Sequence, residues 1–89
     1  MLTTEEVSEI YNKVYQIIDS YRDYHTCYSV SDEDWWNNGL CVSFNVHGWS
    51  DKGEGSEWDE HWCIDGETGK IYGDDIIYES FEDFYSNWN

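Results

Sequence analysis

The sequence predicts a single α+β domain spanning residues 1–89. A small antiparallel sheet packs against an N-terminal helix and is closed by a short C-terminal helix, in the order α-β-β-β-α. Two patterns carry this. Apolar residues at helical spacing occupy the start of the chain and recur at its end. Between them, apolar and polar residues alternate with period two, which marks strands with two unlike faces. A length of 89 residues suffices for one modest core.

Residues 3–24 read as helix. Thr3 can cap it and Glu6 stands three positions on, a capping box. Leu2 and Val7 flank the cap at hydrophobic-staple spacing. Val7, Ile10, Tyr11, Val14, Ile17, Ile18 and Tyr21 form one apolar stripe. Glu5, Glu6 and Glu9 suit the positive end of the helix dipole. Asp19 and Asp23 do not suit the other end, and Arg22 offsets them in part.

Cys27-Tyr28-Ser29-Val30 reads as an additional short strand. The acidic run Asp32-Glu33-Asp34 and Trp35-Trp36 follow, then Asn37-Asn38-Gly39, a turn signal. Leu40, Val42, Phe44 and Val46 alternate with Cys41, Ser43, Asn45 and His47, the clearest strand of the chain. Residues 48–55 read as a glycine-rich, mobile loop that contains Trp49. Trp58, Glu60, Trp62 and Ile64 alternate with Asp59, His61, Cys63 and Asp65. Asp65-Gly66-Glu67-Thr68-Gly69 then makes a turn, because its glycines take positive φ at little cost. Lys70-Ile71-Tyr72 returns as a partner strand, and the connector through Ile76 and Ile77 has room for one more extended segment. Ser80 can cap a last helix with Asp83 as its box partner. Phe81, Phe84, Tyr85 and Trp88 share one face of it. Strands joined by short loops pair antiparallel.

Charge dominates the composition. Aspartate and glutamate total 20 against 4 lysines and arginines, a formal net charge of −16. Such density repels itself and opposes compaction. It far exceeds the magnitude of about 2–8 that keeps a small domain soluble. Acidic chains are often disordered, but 19% aromatic residues in periodic patterns supply a core here. Double-stranded-RNA-binding domains share the element order. They need basic residues that are missing here, and direct nucleic-acid or anionic-membrane binding is excluded on the same ground. A basic protein surface is the natural complement. Three dispersed cysteines, Cys27, Cys41 and Cys63, make no disulfide framework and fit a reducing cytoplasm. The segment MLTTEEVSEI lacks the features of a signal peptide, and no apolar run reaches transmembrane length.

No catalytic motif is present, so an enzyme is not expected. Asp32 and Asp34 begin like a calcium loop, but Trp36 and Asn37 fall where a ligand and a glycine belong. The pairs His25/Cys27 and His61/Cys63 each share a strand face, and Cys41 shares one with His47. Such groups ligate zinc, but C-x₂₋₄-C spacing is absent. No cofactor is expected. A small zinc-binding protein stands as one alternative.

The partner surface is assigned to the hairpin side and its loops. It comprises Asp51, Glu54, Glu57, Asp59, Asp65, Glu67, Asp74 and Asp75, with Trp49 as aromatic anchor. Carboxylates two apart on a strand face lie about 6.6 Å apart, of the order of the phosphate spacing along a nucleic-acid strand. Trp62 and Trp88 are the expected core tryptophans.

In size, acidity, absence of proline and element order, the chain resembles small phage-encoded inhibitors of bacterial defence. Some anti-CRISPR and anti-restriction proteins of that class are DNA mimics. The resemblance implies a non-enzymatic inhibitor acting in the host cytoplasm. It would occupy a basic nucleic-acid channel, such as the PAM-reading region of a Cas nuclease. No residue roles come with the resemblance. The other alternative is an acidic immunity or antitoxin-like protein that neutralises a basic toxin nuclease.

Overall fold

The structure, a computed structural model, describes residues 1–52 and 55–88. Helix α1 spans Thr4–Asp19, and strands β1 to β5 span Thr26–Trp36, Cys41–Ser50, Ser56–Asp65, Ile71–Tyr72 and Ile77–Tyr78. Helix α2 spans Phe81–Asn87. The strands form one sheet in chain order, every neighbouring pair antiparallel. The α+β class and both helices stand as expected. The sheet has five strands rather than three, because β1 on one side and the connector segment Ile77–Tyr78 on the other also pair.

The capping box forms as the sequence dictates. Thr3 Oγ1 accepts from Glu6 N at 3.1 Å, and Thr3 N donates to Glu6 Oε1 at 2.9 Å. Val7, Tyr11, Val14 and Ile18 are the buried stripe of α1. They meet Val30, Val42, Phe44, Val46, Trp62, Ile64, Ile71 and Tyr78 from one face of the sheet. Phe84 of α2 closes the same core, with its ring 5.9 Å from Trp62 and 5.4 Å from Tyr78. Both helices therefore cover one face. The opposite face carries neither.

Four expectations need correction. Helix α1 ends at Asp19, not near residue 24. Arg22 Nη1 donates to the carbonyls of Asp19 (2.8 Å) and Tyr21 (2.7 Å), closing the helix end. Asp23 turns the chain by accepting from the amides of His25 (2.6 Å) and Thr26 (2.5 Å). Asp19, ill placed for the dipole, instead accepts from Val30 N at 3.2 Å.

The short strand at Cys27 is eleven residues long. Its register shifts between Ser31 and Asp34, where Asp32 takes φ 58°. This is a bulge, and aspartate is among the residues that tolerate that conformation.

Residues 48–50 are strand, not loop. Gly48 pairs with Tyr28 on one side and Trp58 on the other. Finally, α2 is too short to bury all four of its aromatics. Phe84 is buried and Phe81 and Trp88 half-buried, while Tyr85 is 68% exposed. The Ser80 cap bonds Asp83 N at 3.2 Å, but the Asp83 carboxylate turns to Glu79 N at 2.9 Å.

Candidate acidic sheet face

Strand parity builds the site. Val30, Val42, Phe44, Val46, Trp62 and Ile64 point to the core, so their alternates point away from it. Cross-strand register arranges those alternates in rows. Cys27, Trp49 and Glu57 make one row; Ser29, His47 and Asp59 the next; Ser31, Asn45 and His61 the third. Beyond the bulge come Asp34, Ser43, Cys63 and Tyr72, then Trp36, Cys41 and Asp65.

Polar contacts knit this face together. His47 Nδ1 lies 3.0 Å from Asp59 Oδ1, and its Nε2 lies 3.7 Å from Glu57 Oε1. The hydrogen bond to Asp59, followed by the charges of Asp59 and Glu57, raises the His47 pKa above its ordinary value. Asn45 Nδ2 donates to Asp32 Oδ2 at 3.2 Å, which brings the bulge carboxylate onto the same face. Trp36 Nε1 donates to Ser43 Oγ at 3.0 Å. Burial pushes the Cys63 thiol pKa up, leaving it a poor nucleophile.

The assigned residues fall in three places. Trp49, Glu57 and Asp59 lie together near the β2–β3 connection. Asp51 is beside them, its Oδ1 2.7 Å from His25 Nδ1. Asp65 and Glu67 lie at the opposite end, with Asp65 Oδ1 accepting from Glu67 N at 2.9 Å. Asp74 and Asp75 sit in the exposed β4–β5 turn at the far edge of the sheet, Asp75 with φ 64°. Glu54 lies outside the described residues. Glu57 and Asp65 are eight residues apart on one strand, about 26 Å.

Trp49 is 39% exposed as expected, though from a strand. Sequence reasoning missed Trp36, 47% exposed on the same face, and with it Asp32 and Asp34. The bulge hid them. Inward residues Val30 and Trp35 are an odd number of positions apart, which breaks the alternation that would have marked the strand.

The His-Cys pairs do not converge. The rows of Cys27 and Cys63 are six residues apart along β2, about 20 Å. Among the described residues, no three His, Cys, Asp or Glu side chains gather as metal ligands.

None of the four lysines and arginines occupies an outward strand position. Lys13 lies on α1 with its Nζ 5.4 Å from the centroid of the Phe81 ring. Arg22 follows α1, and Lys70 Nζ is 4.0 Å from Glu79 Oε2 near the start of α2. Lys52 follows β2. The outward strand face is therefore anionic without an internal lysine or arginine to neutralise it. Among the described residues, no helix is long and apolar enough to cross a membrane.

Comparison with protein-family models, with curated proteins and with solved structures finds no match to this chain.

Proposed function

We propose that this protein is a non-enzymatic inhibitor that occupies a basic nucleic-acid-binding surface of a bacterial defence nuclease. The mode is DNA mimicry of the anti-CRISPR type, acting in the host cytoplasm. The observation that carries this reading is the uncovered sheet face. It presents Asp32, Asp34, Glu57, Asp59 and Asp65 and no lysine or arginine, within a chain of net charge −16. Glu57 and Asp59 stand two residues apart on β3, at about 6.6 Å. A rigid sheet holds such charges without the ordering cost of a flexible acidic tail. The three cysteines are free, in keeping with a reducing compartment.

The test is competition. Guide-loaded Cas nucleases are titrated with this protein in the presence of labelled target DNA. For the true target, DNA should be displaced, with an apparent affinity that falls as salt rises. A nuclease that holds its DNA and this protein together yet loses cleavage would replace mimicry with an allosteric mode. Retention of every nucleic-acid complex across the panel would remove the reading.

A further inference from the structure

We infer that the uncovered sheet face holds two arginine-binding subsites: Trp49 with Glu57 and Asp59, and Trp36 with Asp32 and Asp34. Its occupant is a basic protein surface that presents two arginines no more than about 26 Å apart. The inference rests on the reading above that the partner is basic, and adds where and by what chemistry it docks.

Each subsite sets an indole beside two carboxylates, across the β2–β3 pairing at one end and along β1 at the other. Trp49 and Glu57 are register partners, and Asp59 is the next outward residue of β3. Directly paired side chains have Cβ atoms about 4.5–5.5 Å apart, so the indole and the carboxylate share one small area. The Glu57 and Asp59 side chains are 66% and 75% exposed, open to a ligand despite their contact with His47. At the other end, Trp36 bonds Ser43, and Ser43 is the register partner of Asp34. The indole thus leans into the Asp34 row. Asp32 reaches the same area through Asn45, the next outward residue after Ser43 on β2.

The rows of Trp36 and Trp49 are eight residues apart along β2, about 26 Å. Ser43 and Asn45 floor the Trp36 subsite and His47 floors the Trp49 subsite, with Ser29 and Ser31 of β1 beside them.

An aromatic beside carboxylates selects arginine over lysine. A guanidinium stacks flat on an indole while its N–H edge forks onto a carboxylate. An ammonium is a strongly hydrated point charge and gains less from the ring. Carboxylates alone favour arginine through that fork, and the indole adds the stacking share that the tryptophan variants read. The spacing adds a second filter, because only a partner spanning both subsites gains from both.

The experiment compares nine-residue oligo-arginine and oligo-lysine peptides by calorimetry at physiological salt. Either peptide reaches about 30 Å when extended. The arginine peptide should bind about tenfold tighter or more. Trp36→Ala and Trp49→Ala should each remove most of that preference while changing lysine-peptide affinity little. In the unmodified protein, the Trp36 and Trp49 indole N–H resonances should shift on adding oligo-arginine. Those of Trp58 and Trp62, on the core face, should not. This second readout needs no variant to fold.

Equal affinity for the two peptides, or shifts spread over the Glu5, Glu6 and Glu9 face of α1, would overturn the subsites and leave the basic-partner reading standing. Binding of neither peptide would overturn both.

Discussion

The Trp58 indole lies against the backbone of Gly48. A Cβ built at Gly48 would sit 2.3 Å from Trp58 Cε2. The two residues are register partners on β2 and β3. Trp58 Nε1 also donates to Glu60 Oε2 at 2.6 Å, and Trp62 Nε1 donates to Glu60 Oε1 at 2.8 Å. Glu60 thus ties the Trp58 indole to that of Trp62, and the Tyr28 ring stands edge-on to the Trp58 ring at 6.0 Å. Gly48→Ala should displace Trp58 and cost about 1–3 kcal/mol, the usual range for overpacking. Chemical denaturation measures it. A loss below a few tenths would mean that the ring has another place to go.

Gly66 lies against backbone rather than a ring. Its added Cβ would meet Leu40 O at 2.3 Å and Val7 Cγ2 at 2.6 Å. Gly66 N donates to Leu40 O, and Gly66 O accepts from Leu2 N, each at 2.8 Å. The residue joins the β3–β4 turn to the start of α1. Gly66→Ala should therefore destabilise more than Gly48→Ala, because backbone has to move. It should also raise amide exchange at Leu2 and in the first turn of α1. Equal unfolding midpoints for the two variants would contradict this ranking.

Stability should rise as pH falls from 8 to about 5. His47 has its pKa raised above 6.5 by Asp59 and Glu57. Its contribution is fully present below 6.5 and is lost as pH rises through the folded-state value. Repulsion among carboxylates acts in the same direction and is screened by salt. Asp23 acts oppositely: the amides of His25 and Thr26 lower its pKa below 3.8. Its contribution is present above 3.8 and disappears as pH falls through the folded value. Melting temperature should thus peak between these limits, and His47→Gln should flatten the slope above pH 6. A melting temperature that falls steadily from pH 8 to 5 would refute the assignment.

Alkaline unfolding should depend on Tyr11. Burial, then the charge of Glu33, pushes its pKa up to about 12. The neutral form is the folded form, so its contribution is complete below 10 and lost as pH rises to about 12. Burial raises the Tyr78 pKa in the same direction. Tyr11→Phe keeps the ring, which packs 5.2 Å from Phe44, and removes the titrating hydroxyl. The midpoint of alkaline unfolding, followed by circular dichroism, should move to higher pH.

Two charge reversals separate site from net charge. Glu57, Asp59 and Asp65 changed together to Lys should weaken nuclease inhibition by orders of magnitude. Glu5, Glu6 and Glu9 changed together to Lys should weaken it far less, with some loss of stability at the start of α1. Both variants carry the same net charge. Equal loss of inhibition would show that only net charge matters.

What the sequence determined is what neighbouring residues settle among themselves. The Thr3–Glu6 box closes within one helical turn, and its first residue was readable. The alternation from Trp58 to Asp65 placed Glu57, Asp59 and Asp65 on one face, because parity along an unbroken strand requires no partner. The Asp65–Gly69 turn followed from Gly69, which takes φ 81°, while Gly66 does not take positive φ and is required by its close approach to Leu40 and Val7. The tertiary structure decided the rest. Gly48 reads as a loop breaker until Trp58 covers it from the next strand. The Asp19 carboxylate, misplaced for the helix dipole, finds its donor in Val30 N, eleven positions away. Strand β1 changes parity at Asp32, where cross-strand pairing with β2 sets the register. That single inserted residue turns Asp34 and Trp36 outward. Two of the five carboxylates of that face, Asp32 and Asp34, were therefore invisible to periodicity, since a bulge is fixed by the partner strand and not by the residues that form it.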